Sequence, residues 1–259
     1  MFFVGTSWKM NKTLAEAGAY AAQLVAAGLD VPADVELVLF PPFTALAVVR
    51  QGLGEAPVRL GGQDVMWADA GAFTGEISPL MLKDIGCDFV EIGHSERRRL
   101  FGDTDERVNA KVLATLRQEL HPLVCVGETA AERDAGAAAE TVLRQARLAF
   151  AGVGAADVRR CRLAYEPVWA IGEGSTAAPA DMAAAIHAIL KDAFPDVPVL
   201  YGGSVDRHNA AGLAARPEVD GLFVGRAALQ ADAFLVIAEA ALQARGLVSK
   251  PFTRQTLRA

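Results

Sequence analysis

The chain has 259 residues, 52% of them hydrophobic and 22% charged, with a formal net charge of −6 and a pI of about 5.3. That balance excludes a disordered or fibrous chain, argues against nucleic acid as the main partner, and demands a local positive site for any anionic small ligand. Cys87, Cys125 and Cys161 are widely spaced with no CxxC, which fits reduced thiols in a cytoplasmic setting. MFFVGTSWKMN lacks a basic region and a long apolar core, so no signal peptide is expected, and no segment reaches transmembrane length.

Short apolar runs alternate with amphipathic stretches along the chain. Strands are predicted at Phe2–Trp8, Glu36–Phe40, Val58–Gln63, Asp88–Ile92, Leu123–Val126, Arg162–Glu166, Val199–Tyr201 and Gly221–Val224. Helices are predicted at Leu14–Ala27, Phe43–Gly52, Pro79–Ile85, Glu106–Glu119, Ala131–Ala151, Pro179–Phe194, Asn209–Ala215 and Asp232–Ala244. Eight strand–helix pairs without a long linker predict a single-domain α/β chain, a (β/α)8 barrel over residues 1–245, with a doubly wound open sheet as the alternative. Residues 246–259 read as a polar surface tail.

Two loops stand out. Asp64 to Ser78, DVMWADAGAFTGEIS, is long and glycine-punctuated and carries Met66, Trp67 and Phe73; it is expected either to meet a partner chain or to fold over its own barrel. LAYEPVWAIGEG, Leu163 to Gly174, puts the carboxylate of Glu166 at a strand end, followed by Pro167, an apolar arm, and glycines 172 and 174 as pivots. It reads as a general base beneath a hinged lid, or as a strand-end carboxylate capping a helix beside a packed loop.

In a barrel the site lies at the C-terminal ends of the strands. Ser7 and Lys9 end the first predicted strand, His94 follows the fourth in EIGHSERR, Glu166 ends the sixth, Ser204 follows the seventh and Gly225-Arg226 the eighth. The glycine-bearing turns at Gly202-Gly203-Ser204 and Gly225-Arg226, read as leading into helices, and the Gly172 amide could cradle a phosphate. No metal is expected, since His94 has no second histidine at ligand spacing. Gly172 to Ala177 imitates a dinucleotide fingerprint but follows a loop rather than a strand, and Gly127-Glu128 reads as a turn without chemistry.

SWKMN, GAFTGEIS, GHSERR, CVGET, AYEPVWAIG, YGGSV and DGLFVGRAAL occur in this order over nearly the whole chain, which thereby resembles the triosephosphate isomerase family and its TIM barrel. The resemblance implies Glu166 as the proton-moving base, His94 as a neutral electrophile and Lys9 as the stabilising cation. It implies Ser7 at the reacting end of the substrate, and amides of Gly172, Ser204, Gly225 and Arg226 around the phosphate. It also implies no cofactor, a small phosphorylated ketose as substrate, and a homodimer formed through the loop around Thr74. Two positions depart from the family pattern: Ser7, usually Asn, and Arg226, usually a second glycine. With GTSWKMNKT and WADAGAFTGEISPLMLKD they are similar to the branch acting on L-erythrulose 1-phosphate. Isomerisation of dihydroxyacetone phosphate is the alternative, and a non-catalytic phosphate binder or an interaction protein built on the Trp67–Phe73 loop are the readings from other classes.

Overall fold

Eight parallel strands close on one another in sequence order: β1 Phe2–Ser7, β2 Val35–Phe40, β3 Arg59–Gly62, β4 Phe89–Ile92, β5 His121–Val126, β6 Arg162–Tyr165, β7 Val199–Tyr201 and β8 Gly221–Val224. The pairing of β1 with β8, Phe3 opposite Gly221 through Thr6 opposite Val224, completes the barrel and removes the open-sheet alternative. This computed structural model describes residues 1–172, 177–250 and Phe252. Gly174, most of the fingerprint-like run and the basic residues Arg254 and Arg258 lie outside them.

All strands are buried along nearly their whole length, which is why they read as apolar runs. Phe3, Val38, Phe40, Phe89, Leu123, Cys125, Ala164, Leu200 and Phe223 fill the interior, and glycines leave room for the rings: a Cβ on Gly61 would lie 2.2 Å from Phe40. The floor of the barrel is polar. Glu36 accepts from Arg59 at 2.9 Å and from Arg162 at 3.2 Å, closing the end opposite the site.

The helical layer departs from expectation in several places, the short unpredicted helix Ala155–Val158 among them. The single helix predicted over Ala131–Ala151 is two, Ala130–Asp134 and Ala138–Ala149, because Gly136 adopts φ 73 and the Ala137 amide turns back to the Glu132 carbonyl. An unpredicted helix, Ser95–Phe101, follows β4 and buries no residue, so it leaves no apolar period to read. After β7 the turn through Ser204 does not enter a helix; the next one, Ala210–Ala214, starts six positions further on. The tail is less detached than expected: Phe252 is buried and its amide donates to Glu239 Oε1 at 2.7 Å. Among the described residues no helix is long and apolar enough to cross a membrane.

Candidate active site

Ser7, Lys9, His94, Glu166, Gly172, Ser204, Gly225 and Arg226 line one cavity of about 600 Å³ at the C-terminal mouth of the barrel. Residues from five strands or the loops after them meet there because every strand points the same way and ends at the same rim.

Glu166 follows β6 directly and is 2% exposed. Its amide donates to the Val126 carbonyl at 2.7 Å, and only glycine fits beside it, since a Cβ on Gly127 would sit 1.7 Å from the Glu166 carbonyl oxygen. The carboxylate is parked: Oε2 accepts the Ser95 amide at 3.1 Å, and Oε1 lies 3.3 Å from His94 Nε2. His94 caps the Ser95–Phe101 helix, its Nδ1 accepting the Glu96 amide at 3.1 Å. An accepting Nδ1 places the neutral ring's hydrogen on Nε2, the nitrogen facing Glu166. Lys9 holds a left-handed backbone, φ 53, and its Nζ meets Glu96 Oε1 at 2.7 Å. Burial pushes Glu96 up, yet the bond to Lys9 and its charge outweigh it and leave that carboxyl below the usual range.

The opposite half of the cavity is built from turns. Gly225 caps the one-turn 3-10 helix Arg226–Ala228, and a Cβ there would lie 3.9 Å from Lys9 Cε, so its backbone and the Lys9 side chain face the same space. Ser204 donates its hydroxyl to the Ala170 carbonyl at 2.7 Å, tying the seventh loop to the arm after β6. Gly172 stands at φ 115, a conformation that suits glycine at the end of that arm. Arg226 extends an exposed side chain over the rim.

Two buried carboxylates of the site escape sequence reading. Glu128, taken there as a turn residue without chemistry, is 1% exposed, and its Oε1 accepts both the Trp169 indole at 2.6 Å and the Tyr165 hydroxyl at 3.1 Å. It therefore holds the start of the arm. Glu91 accepts the Ser7 hydroxyl at 2.8 Å, and burial pushes its carboxyl up to about 7; His94, Ser7 and Lys9 oppose the shift and Glu166 adds to it. The available signal is a carboxylate inside the otherwise apolar run FVEI, two residues after an inward-facing phenylalanine. Ligand atoms of Glu91, His94 and Glu166 all lie within 4.8 Å of one another, a cluster that needs no second histidine and that sequence spacing alone does not foresee.

The loop expected to meet a partner or to cover its own barrel leaves Trp67 39% and Phe73 41% exposed. Met10, next to Lys9, is 96% exposed.

The sequence model of the family described as triosephosphate isomerase matches residues 2–241. An L-erythrulose-1-phosphate isomerase of Mesorhizobium japonicum is 47% identical over 243 residues, covering 92% of this chain and 96% of the relative. One of Brucella abortus is 48% identical over 242 residues, covering 91% and 94%. A triosephosphate isomerase of Roseiflexus is 47% identical over 240 residues, covering 89% and 94%.

Proposed function

Because the chain belongs to the triosephosphate isomerase family, we propose that it is a sugar-phosphate isomerase moving a carbonyl through an enediolate, with L-erythrulose 1-phosphate and D-erythrulose 4-phosphate as its favoured pair. The observation that carries this is the meeting of Glu166, His94 and Lys9 at one cavity with glycine-built turns opposite. Glu166 leaves the Ser95 amide and takes the proton from the carbon next to the carbonyl. The developing oxyanion receives the hydrogen bond of His94 Nε2 and the charge of Lys9. The hydroxyl proton passes from one enediolate oxygen to the other by way of His94, Glu166 returns its proton to the former carbonyl carbon, and the carbonyl has shifted by one position. Backbone amides of Gly172, Ser204, Gly225 and Arg226 hold the phosphate, and the arm after β6 closes to keep water away from the enediolate.

Overall identity does not choose the substrate, since relatives named for the four-carbon and the three-carbon ketose are 48% and 47% identical. Ser7 supports the larger one. It has about two side-chain heavy atoms fewer than asparagine, close to one CH2OH, and an extra methylene-sized group shifts discrimination by ~1–3 kcal/mol. Comparing kcat/KM for L-erythrulose 1-phosphate and dihydroxyacetone phosphate tests the reading; a preference for the triose phosphate would return the chain to plain triosephosphate isomerase activity.

The same reading includes a homodimer, in which a second copy covers Phe73, Thr74 and Met10. It also includes the cytoplasm as its place of work, in keeping with three free and buried cysteines.

A further inference from the structure

Glu91 lies in the inward register of β4, two residues after Phe89 of the barrel-interior cluster, and is 2% exposed. A buried carboxylate in such a place is costly, and an apolar side chain would serve packing better. The proton transfers proposed above do not use it: Glu166 is the base, and His94 and Lys9 meet the oxyanion. Glu91 does not itself line the cavity; it lies within 4.8 Å of His94 and Glu166, and its hydrogen bond toward the substrate space comes from Ser7, which lines the cavity and donates its hydroxyl to Glu91 Oε2 at 2.8 Å.

That bond fixes the sense of the serine. A hydroxyl has one hydrogen and two acceptor positions, and the Glu91 carboxylate, charged above about pH 7, only accepts there. With its hydrogen given to Glu91, Ser7 offers the cavity acceptor positions alone. Such a group takes the hydrogen of a sugar hydroxyl and finds nothing to bind in a C–H.

We propose that Glu91 is a specificity-determining positioning residue, holding Ser7 as an acceptor for the hydroxyl of the additional CH2OH group that the four-carbon ketose carries beyond the reacting carbons. The chain of hydrogen bonds runs from that substrate hydroxyl to Ser7 Oγ and from Ser7 to Glu91 Oε2. The inference rests on the four-carbon reading. It locates the discrimination in a buried pair drawn from strands β1 and β4, rather than in the size of Ser7 alone.

The test is the ratio of kcat/KM for L-erythrulose 1-phosphate to that for dihydroxyacetone phosphate, in the wild type, Glu91→Leu and Glu91→Gln. Glu91→Leu leaves Ser7 without its acceptor and should lower the ratio by about tenfold or more, mainly through the KM of the four-carbon substrate. Glu91→Gln keeps an amide oxygen that can accept from Ser7 and should stay within about threefold of the wild-type ratio. Should Glu91→Leu fail to fold, Ser7→Ala removes the same acceptor and should lower the ratio alike. An unchanged ratio in Glu91→Leu or Ser7→Ala, or an equal loss on both substrates, would overturn the inference while leaving the four-carbon reading intact. A wild type preferring dihydroxyacetone phosphate would overturn that reading before any variant is made, and this inference with it.

Discussion

The indole of Trp169 donates to the buried carboxylate of Glu128 across 2.6 Å and pins the start of the arm after β6 to the loop after β5. The Val168 amide donates to the Glu128 carbonyl at 3.1 Å, and the Arg133 guanidinium lies 4.0 Å from the Trp169 ring centre. The arm is thus anchored at its root, while its far end at Gly172 has the left-handed backbone of a pivot. Trp169→Phe keeps the ring and removes the donor. Losing a partner of a buried charged group costs ~1–3 kcal/mol, so the melting temperature should fall by several degrees, a few per kcal/mol for a chain of this size. Thermal unfolding of the variant checks this; an unchanged Tm would show that the bond holds nothing in place.

Glu166→Gln preserves shape and hydrogen-bonding reach but removes the basic oxygen. Turnover should fall by about 10²–10⁴-fold, the usual contribution of a positioned proton-transfer group. A phosphorylated mimic of the enediolate should still bind, because Lys9 and the turns at Ser204 and Gly225 are untouched. Unaltered kcat would remove Glu166 as the base. Binding without turnover in the wild type itself would favour the non-catalytic phosphate binder.

Ser7→Asn tests size at the reacting end. Ser7 is 5% exposed, so the larger amide must occupy the space proposed for the extra CH2OH. The four-carbon to three-carbon preference should drop by about tenfold, within the range for one methylene-sized group. Steady-state kinetics on both ketose phosphates decides it, and an unshifted ratio would clear Ser7 of that role.

Most of the barrel is legible in the sequence because parallel strands covered on both sides are continuous apolar runs, and six of the eight stop at a glycine or charged residue at the rim. What is lost depends on closure. The inward register of a strand as short as Phe89–Ile92 is set only when its neighbours are in place, so the face on which Glu91 falls is not readable from the sequence. Glu128 is opaque for a different reason: its partner Trp169 lies 41 positions away. Conversely, the alanine-rich run 131–151 keeps a helical period across Gly136, and periodicity alone cannot see the left-handed turn that divides it.

The proposed homodimer is tested through the exposed apolar side chains near the loop after β3. Trp67 and Phe73 are 39% and 41% exposed, and Met81, Leu100 and Phe101 are 53%, 62% and 61% exposed. Light scattering at micromolar concentration should give twice the chain mass. Phe73→Asp, which would bury a charge in that interface, should shift the mass toward one chain and lower kcat/KM. A wild type that is monomeric and fully active would end the dimer proposal.

His187 sets an acid limit on stability. It is fully buried in the helix Ala180–Ala193, edge-on to Tyr165 with ring centres 5.9 Å apart, and its Nδ1 lies 3.3 Å from the Glu218 carbonyl. Burial lowers its pKa to about 4, with that carbonyl opposing. Above the unfolded value of about 6.5 both states are neutral there and His187 contributes nothing to the pH dependence. As pH falls from about 6.5 to 4 the unfolded chain takes the proton first, and stability is lost, on the order of 3 kcal/mol in all. Glu91 works the other way: its folded pKa of about 7 exceeds the unfolded one, so its destabilising charge is present above pH 7 and relieved as acid protonates it. The two nearly offset one another in weak acid. Glu91→Gln removes one side of that balance. Its melting temperature should exceed the wild type's by several degrees at pH 8, and the gap should close toward pH 5 as the wild type gains its buried proton. The variant alone should then show the His187 loss openly, and a gap that stays constant from pH 8 to pH 5 would mean that Glu91 does not titrate between them.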